Sequence, residues 1–160
     1  MQRAILVALV ACGMANPIAE DAAAKDWSQM FIMYGDGVQA TEADARGGFK
    51  ADDPKRQHLH IYQAPGAPKP TGVYVFSHGN GGRAATGIQP SSPALEGYSV
   101  ISWESVSPIK TPADTETCWS DLSLVMAWIK ANGKAYNLDA SNIIMGGRSR
   151  GSICRCAKRV

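Results

Sequence analysis

Asn142-Ile143-Ile144-Met145-Gly146-Gly147-Arg148-Ser149-Arg150-Gly151-Ser152 is the stretch on which the reading of this chain turns. Ile143 to Met145 form a short apolar run, as a buried strand would. Gly147 to Gly151 follows without a gap and fits G-x-S-x-G. A serine on a sharp strand-to-helix turn sits in strained backbone, with its hydroxyl raised above the sheet. Glycines two residues to either side let neighbouring backbone pass close to such a turn. The plainer alternative is a serine that only caps the helix after it.

Working outward, Gly72 to Ser77 is a second apolar, β-prone run. It ends in His78-Gly79-Asn80-Gly81-Gly82. Tyr98 to Trp103 reads as another strand. The clearest helix starts at Thr111, where the threonine can cap, Pro112 suits the first position and Asp114 completes the capping spacing. Cys118, Leu122, Val125, Met126 and Ile129 recur at helical spacing and make one apolar stripe. Asn132-Gly133 is its expected end. Alternating strands and helices of this kind predict an α/β fold, a mostly parallel sheet with flanking helices.

The order strand, glycine loop, strand, long helix, strand, G-x-S-x-G resembles the α/β-hydrolase family, in its esterase and lipase branch with an H-G-G-G-type loop. The resemblance covers about Leu59 to Ile153. It implies hydrolysis of carboxylic esters by a serine nucleophile, Ser149. Attack on an ester carbonyl makes a tetrahedral oxyanion that needs preorganised N–H donors. Carried over by position, the resemblance implies that those donors belong to Asn80, Gly81 and Arg150. Asn80 stands where the family has glycine, a mild departure because asparagine tolerates left-handed backbone. His78 would orient the loop, not act as base. Arg148 and Arg150 stand where the family more often has small or apolar residues. Arg148 is expected in solvent; Arg150 stays open.

Family triads run serine, acid, histidine. Only eleven residues follow Ser149, and none is Asp, Glu or His. A serine without its base is a weak nucleophile. The expectation is therefore a partial α/β-hydrolase domain over residues 16–160, truncated after the nucleophile elbow and inactive as written. The basic run Cys154 to Val160 fits the family poorly. Two rivals stand beside this reading. One is a non-catalytic, hydrolase-like binding module. The other is a dinucleotide site, since Gly79 to Ala84 fits G-x-G-x-x-A after a strand and Glu104 lies about twenty residues on. Pro90 and Pro93 oppose the helix that such a site needs.

The chain has 160 residues, 16 Lys and Arg against 14 Asp and Glu, and 45% hydrophobic residues. One domain with an ordinary core is the expectation. Near-balanced charge gives no nucleic-acid surface and no steering of charged partners. Residues 1–15 read as a secretory signal: Arg3, an apolar run Ala4 to Ala11, then small residues at Gly13 and Ala15. Export to the periplasm or the exterior follows, with lipid anchoring through Cys12 as the lesser alternative. The apolar run is too short to span a bilayer. The remaining cysteines, Cys118, Cys154 and Cys156, are odd in number and read as structural, since no zinc-ligand spacing is present.

Met30 to Tyr34 reads as a first strand, and Thr41 to Lys55 as a loop. His58-Leu59-His60-Ile61-Tyr62 alternates, so Leu59 and Ile61 are expected inward on an edge-side strand, with His58 and His60 facing solvent and not a metal. No metal or organic cofactor is implied. The partner is a small-molecule or polymer ester. The half-sheet should expose an apolar edge and face and so favour self-association.

Overall fold

The computed structural model describes residues 28–63, 70–86 and 97–155. The expected leader and Cys12 lie outside them. Five strands form one sheet: β1 Ser28–Met33, β2 His58–Tyr62, β3 Thr71–Ser77, β4 Tyr98–Trp103 and β5 Leu138–Gly147, in the order β1-β2-β4-β3-β5. The sheet is mixed, not mostly parallel. β1 with β2 and β2 with β4 are antiparallel; β3 with β4 and β3 with β5 are parallel. β3 lies between β4 on one side and β5 on the other. The chain leaves β3 in one direction for β4 and then crosses back to β5. Such a switch point opens a crevice at the carboxyl ends of the strands.

The crossover is helix α1, Pro112–Asn132. Its start follows the sequence signal. Asp114 N–H donates to Thr111 Oγ1 at 3.1 Å, and the Asp114 carboxylate accepts the Thr111 N–H at 2.9 Å. Cys118, Leu122, Val125 and Ile129 are buried, and they pack on Leu59, Ile61, Val73, Val75, Ile101 and Trp103 from one face of the sheet. Met126 is only partly buried. Cys118 is disulfide-bonded. The helix ends at Asn132, but Gly133 keeps right-handed geometry and opens a 3₁₀ turn to Tyr136. The left-handed stop is Asn137, with φ 55°. Asparagine can take this role in place of glycine.

Two expectations fail on this sheet. β2 is not an edge strand, since β1 covers its outer side. His58 and His60 are 1% and 0% exposed. A register shift in β1 between Gln29 and Ile32, with Phe31 at φ 58°, places the Phe31 ring 4.6 Å from that of His60. Phe49 sits 5.4 Å from His58. Alternation had marked a polar face, and aromatic rings bury that face as well. Conversely, β5 is a sheet edge among the described residues. Ile144 is 45% exposed, so Ile143 to Met145 do not form a fully buried run. Within the stretch expected to be loop, Glu42–Arg46 forms a short 3₁₀ helix.

Candidate active site

β5 runs straight into the turn that carries Ser149 and then into helix α2, Arg150–Arg155. Ser149 has φ 54°, a left-handed conformation that few side chains adopt and that marks stored local strain. The turn is fastened at both ends. Arg148 N–H donates to Ser77 O at 3.1 Å, Gly151 N–H to Arg148 O at 2.9 Å and Ser152 N–H to Ser149 O at 2.8 Å. The flanking glycines have a steric cause. A Cβ on Gly147 would lie 2.6 Å from the Gly151 carbonyl carbon, and one on Gly151 would overlap the Ser77 carbonyl. Both obstacles are backbone, which cannot step aside. Ser149 and Arg148 are exposed.

The loop after β3 lies against this turn. A Cβ on Gly79 would be 3.2 Å from Arg148 O and 3.4 Å from Ser149 Cβ, so glycine permits the close approach. Gly81, at φ 75°, turns the loop back, and Gly82 N–H donates to Gly79 O at 2.9 Å. Asn80 Oδ1 accepts the Ile109 N–H at 3.1 Å, tying the loop to the segment after β4. Among the described residues, no backbone carbonyl takes up the N–H groups of Asn80 and Gly81. Arg150, as first residue of α2, has no intrahelical acceptor for its N–H either.

Beneath the two turns is a buried charged array that the sequence reading missed. His78 is 3% exposed, Glu104 1% and Arg150 2%. His78 Nε2 lies 2.6 Å from Glu104 Oε1, and Nδ1 lies 2.8 Å from Gly79 O. Both ring nitrogens thus lie within hydrogen-bond distance of an oxygen. Arg150 Nη2 is 3.2 and 3.4 Å from the two ring nitrogens, so the guanidinium lies over the imidazole. Its other nitrogens donate to the carbonyls of His78 and Val106. Glu104 Oε2 accepts the Ala84 N–H at 3.0 Å. Burial alone would raise the Glu104 carboxyl, but the His78 hydrogen bond and charge and the Ala84 N–H outweigh it and hold the pKa below the ordinary value. Burial lowers the Arg150 pKa, while Glu104 pulls it back up.

Arg150, left open by the sequence, is therefore an interior residue, and Arg148 faces solvent as expected. Glu104 is consumed by this array and presents no carboxylate to a ribose. Gly79 to Ala84 reaches the three-residue 3₁₀ turn Ala84–Thr86, and no α-helix starts among the described residues of this loop. The dinucleotide reading loses both of its supports.

The chain's three histidines are His58, His60 and His78. His58 and His60 are buried in β2, and both nitrogens of His78 are engaged. Among the described residues the His60 ring has no hydrogen-bond partner, and burial, then the charge of His58, lowers its pKa to about 4. A second buried carboxylate, Asp121 on α1, accepts from Arg56 Nε at 3.2 Å, Gln57 Nε2 at 2.8 Å and Ser105 Oγ at 2.6 Å. It locks α1 to the segments before β2 and after β4. Its place on the stripe, three residues after Cys118 and four before Val125, was a readable sign of burial. No group of metal-binding side chains occurs among the described residues.

No family model matches the chain, and no curated protein matches it. Solved structures do. One is a truncated form of a carbohydrate esterase from gut microbiota, 22% identical, with a TM-score of 0.56 over 83% of this chain. Another is a bifunctional GH43-CE protein of Bacteroides eggerthii, 23% identical, with a TM-score of 0.56 over 79%. This chain spans 42% of the first and 16% of the second. The likeness is one of fold: the α/β sheet of this chain is similar to that of two carbohydrate-esterase structures.

Proposed function

We propose that this chain carries the nucleophile and oxyanion-binding portion of a serine esterase of the α/β-hydrolase type, acting on esters borne by carbohydrate. The observation that carries this reading is the left-handed Ser149, raised on a turn that Gly79 touches from the facing loop. In the proposed reaction, Ser149 Oγ bonds to the ester carbonyl carbon while its proton passes to a base. The carbonyl oxygen becomes an oxyanion facing the N–H groups of Asn80, Gly81 and Arg150. Collapse expels the alcohol, which takes up the proton, and water then releases the acid from the acyl-serine. The Glu104–His78–Arg150 array holds the loop and the turn in one register, since Arg150 belongs to one and His78 to the other.

The base does not come from any of the chain's histidines, so the 160 residues alone are expected to turn over no ester. An oxyanion hole retains part of the rate enhancement when a triad member is missing. Slow acylation of Ser149 by a strongly activated reagent is therefore expected. The test is incubation with a fluorophosphonate and location of the adduct by mass spectrometry. Adduct on Ser149, absent in Ser149→Ala, supports the reading. Folded protein labelled nowhere, or at another serine, overturns it. The engaged histidines also favour a second reading, a hydrolase-like module that binds an ester without cleaving it. That reading predicts ester binding with no adduct.

The leader over residues 1–15 supports export to the periplasm or the exterior. Amino-terminal sequencing of the mature protein is expected to begin near Asn16; a start at Met1 would overturn this. Among the described residues no helix is long and apolar enough to cross a membrane.

A further inference from the structure

A groove of about 480 Å³ opens where the segment after β4 meets the first turns of α1. Ile109, Lys110, Thr111, Thr115, Glu116 and Trp119 line it. It adjoins the candidate site through one bond, Ile109 N–H to Asn80 Oδ1 at 3.1 Å, and Asn80 follows the glycine that touches Ser149. The groove follows from the phase of α1. Cys118, Leu122, Val125 and Ile129 turn inward, which leaves Thr115 and Trp119 on the flank, partly exposed. Lys110 and Glu116 are exposed, and neither side chain makes a hydrogen bond or ion pair among the described residues.

We infer that this groove is a saccharide subsite, which seats the sugar ring or rings bearing the ester. The inference rests on the esterase reading above and adds where the alcohol half lies. A pyranose has a flat C–H face and a rim of hydroxyls. An indole offers a flat apolar surface that buries much area at little conformational cost. Beside it a carboxylate accepts hydroxyl protons and an ammonium donates to hydroxyl oxygens. The volume falls in the range of small-ligand clefts. An acyl chain fits worse, since Lys110 and Glu116 would lose water with no partner gained.

The test uses Ser149→Ala protein, so that no turnover intrudes, titrated with xylotetraose, cellotetraose and mannotetraose. The Trp119 indole N–H resonance, assigned with Trp119→Phe, is followed by NMR. At least one glycan is expected to shift it with a dissociation constant on the order of 1 mM. With the backbone amide shifts of Lys110 and Thr115 as the reporter in the variants, Trp119→Ala is expected to weaken binding about tenfold or more, and Glu116→Gln, at an exposed position that folding tolerates, several-fold. Three outcomes overturn the inference: no shift with any of the three, an affinity by backbone amide shifts that neither Glu116→Gln nor Trp119→Ala changes, or a response to butyrate or ferulate alone. These outcomes leave fluorophosphonate labelling of Ser149 untouched, so failure of the subsite and failure of the esterase reading are distinguishable.

Discussion

Gly146, Gly147 and Gly151 stand within six residues, yet they answer to different neighbours. A Cβ on Gly151 meets the Ser77 carbonyl, whereas one on Gly146 meets the Tyr74 ring, a side chain that is only partly buried and can swing. Gly151→Ala is therefore expected to cost about 3 kcal/mol or more, and Gly146→Ala about 1 kcal/mol or less, by urea melts. Glu104→Gln is expected to cost about 3 kcal/mol, since it leaves the buried Arg150 guanidinium without its nearby counter-charge and takes the carboxylate away from His78 Nε2. The glycines and Ser149 were legible because a short motif encodes a local backbone shape. Arg150 and Glu104 were not, because they lie 46 residues apart in the chain and their pairing through His78 exists only once β3, β4 and β5 align. Glu104 had drawn notice only through a spacing that suits another chemistry.

Helix α1 was readable nearly to the residue because its signals are local: a capping threonine, a first-position proline and an apolar period. Thr111→Ala removes the acceptor for Asp114 N–H and is expected to lower stability by about 1 kcal/mol, measured by thermal melting. Strand β2 shows the limit of such signals. Period-two alternation identified the faces of the strand correctly, but alternation says nothing of what lies over each face. The answer came from Phe31 and Phe49, brought in by a strand irregularity and a distant loop. β5 shows the converse error. An apolar run was taken as burial on both sides, and its outer edge has no partner among the described residues. Strand order depends on crossovers that no single segment announces.

For the whole molecule, buried imidazoles make acid a stress. His60 titrates near 4 in the folded chain against an ordinary 6.5, and burial lowers His58 too. Between those two values the unfolded chain binds more protons than the folded one, so stability rises with pH across the window and erodes as pH falls through it. Going from about pH 7.5 to about pH 5 is expected to remove on the order of 2 kcal/mol, and His60→Leu should reduce that loss; equal losses in both proteins would refute the assignment. The edge of β5, unpaired among the described residues, and the exposed Ile144 lead us to expect concentration-dependent association, visible as a rising sedimentation coefficient. A constant monomer value would remove that expectation. The left-handed Ser149 carries a consequence for descent. Glycine at this position would relieve the torsion and is expected to raise the melting temperature, while asparagine would be tolerated. A lineage under pressure only to survive heat would thus drift away from serine here. Variants ranked by abundance and by reaction with an acylating probe should then order residue 149 in opposite ways.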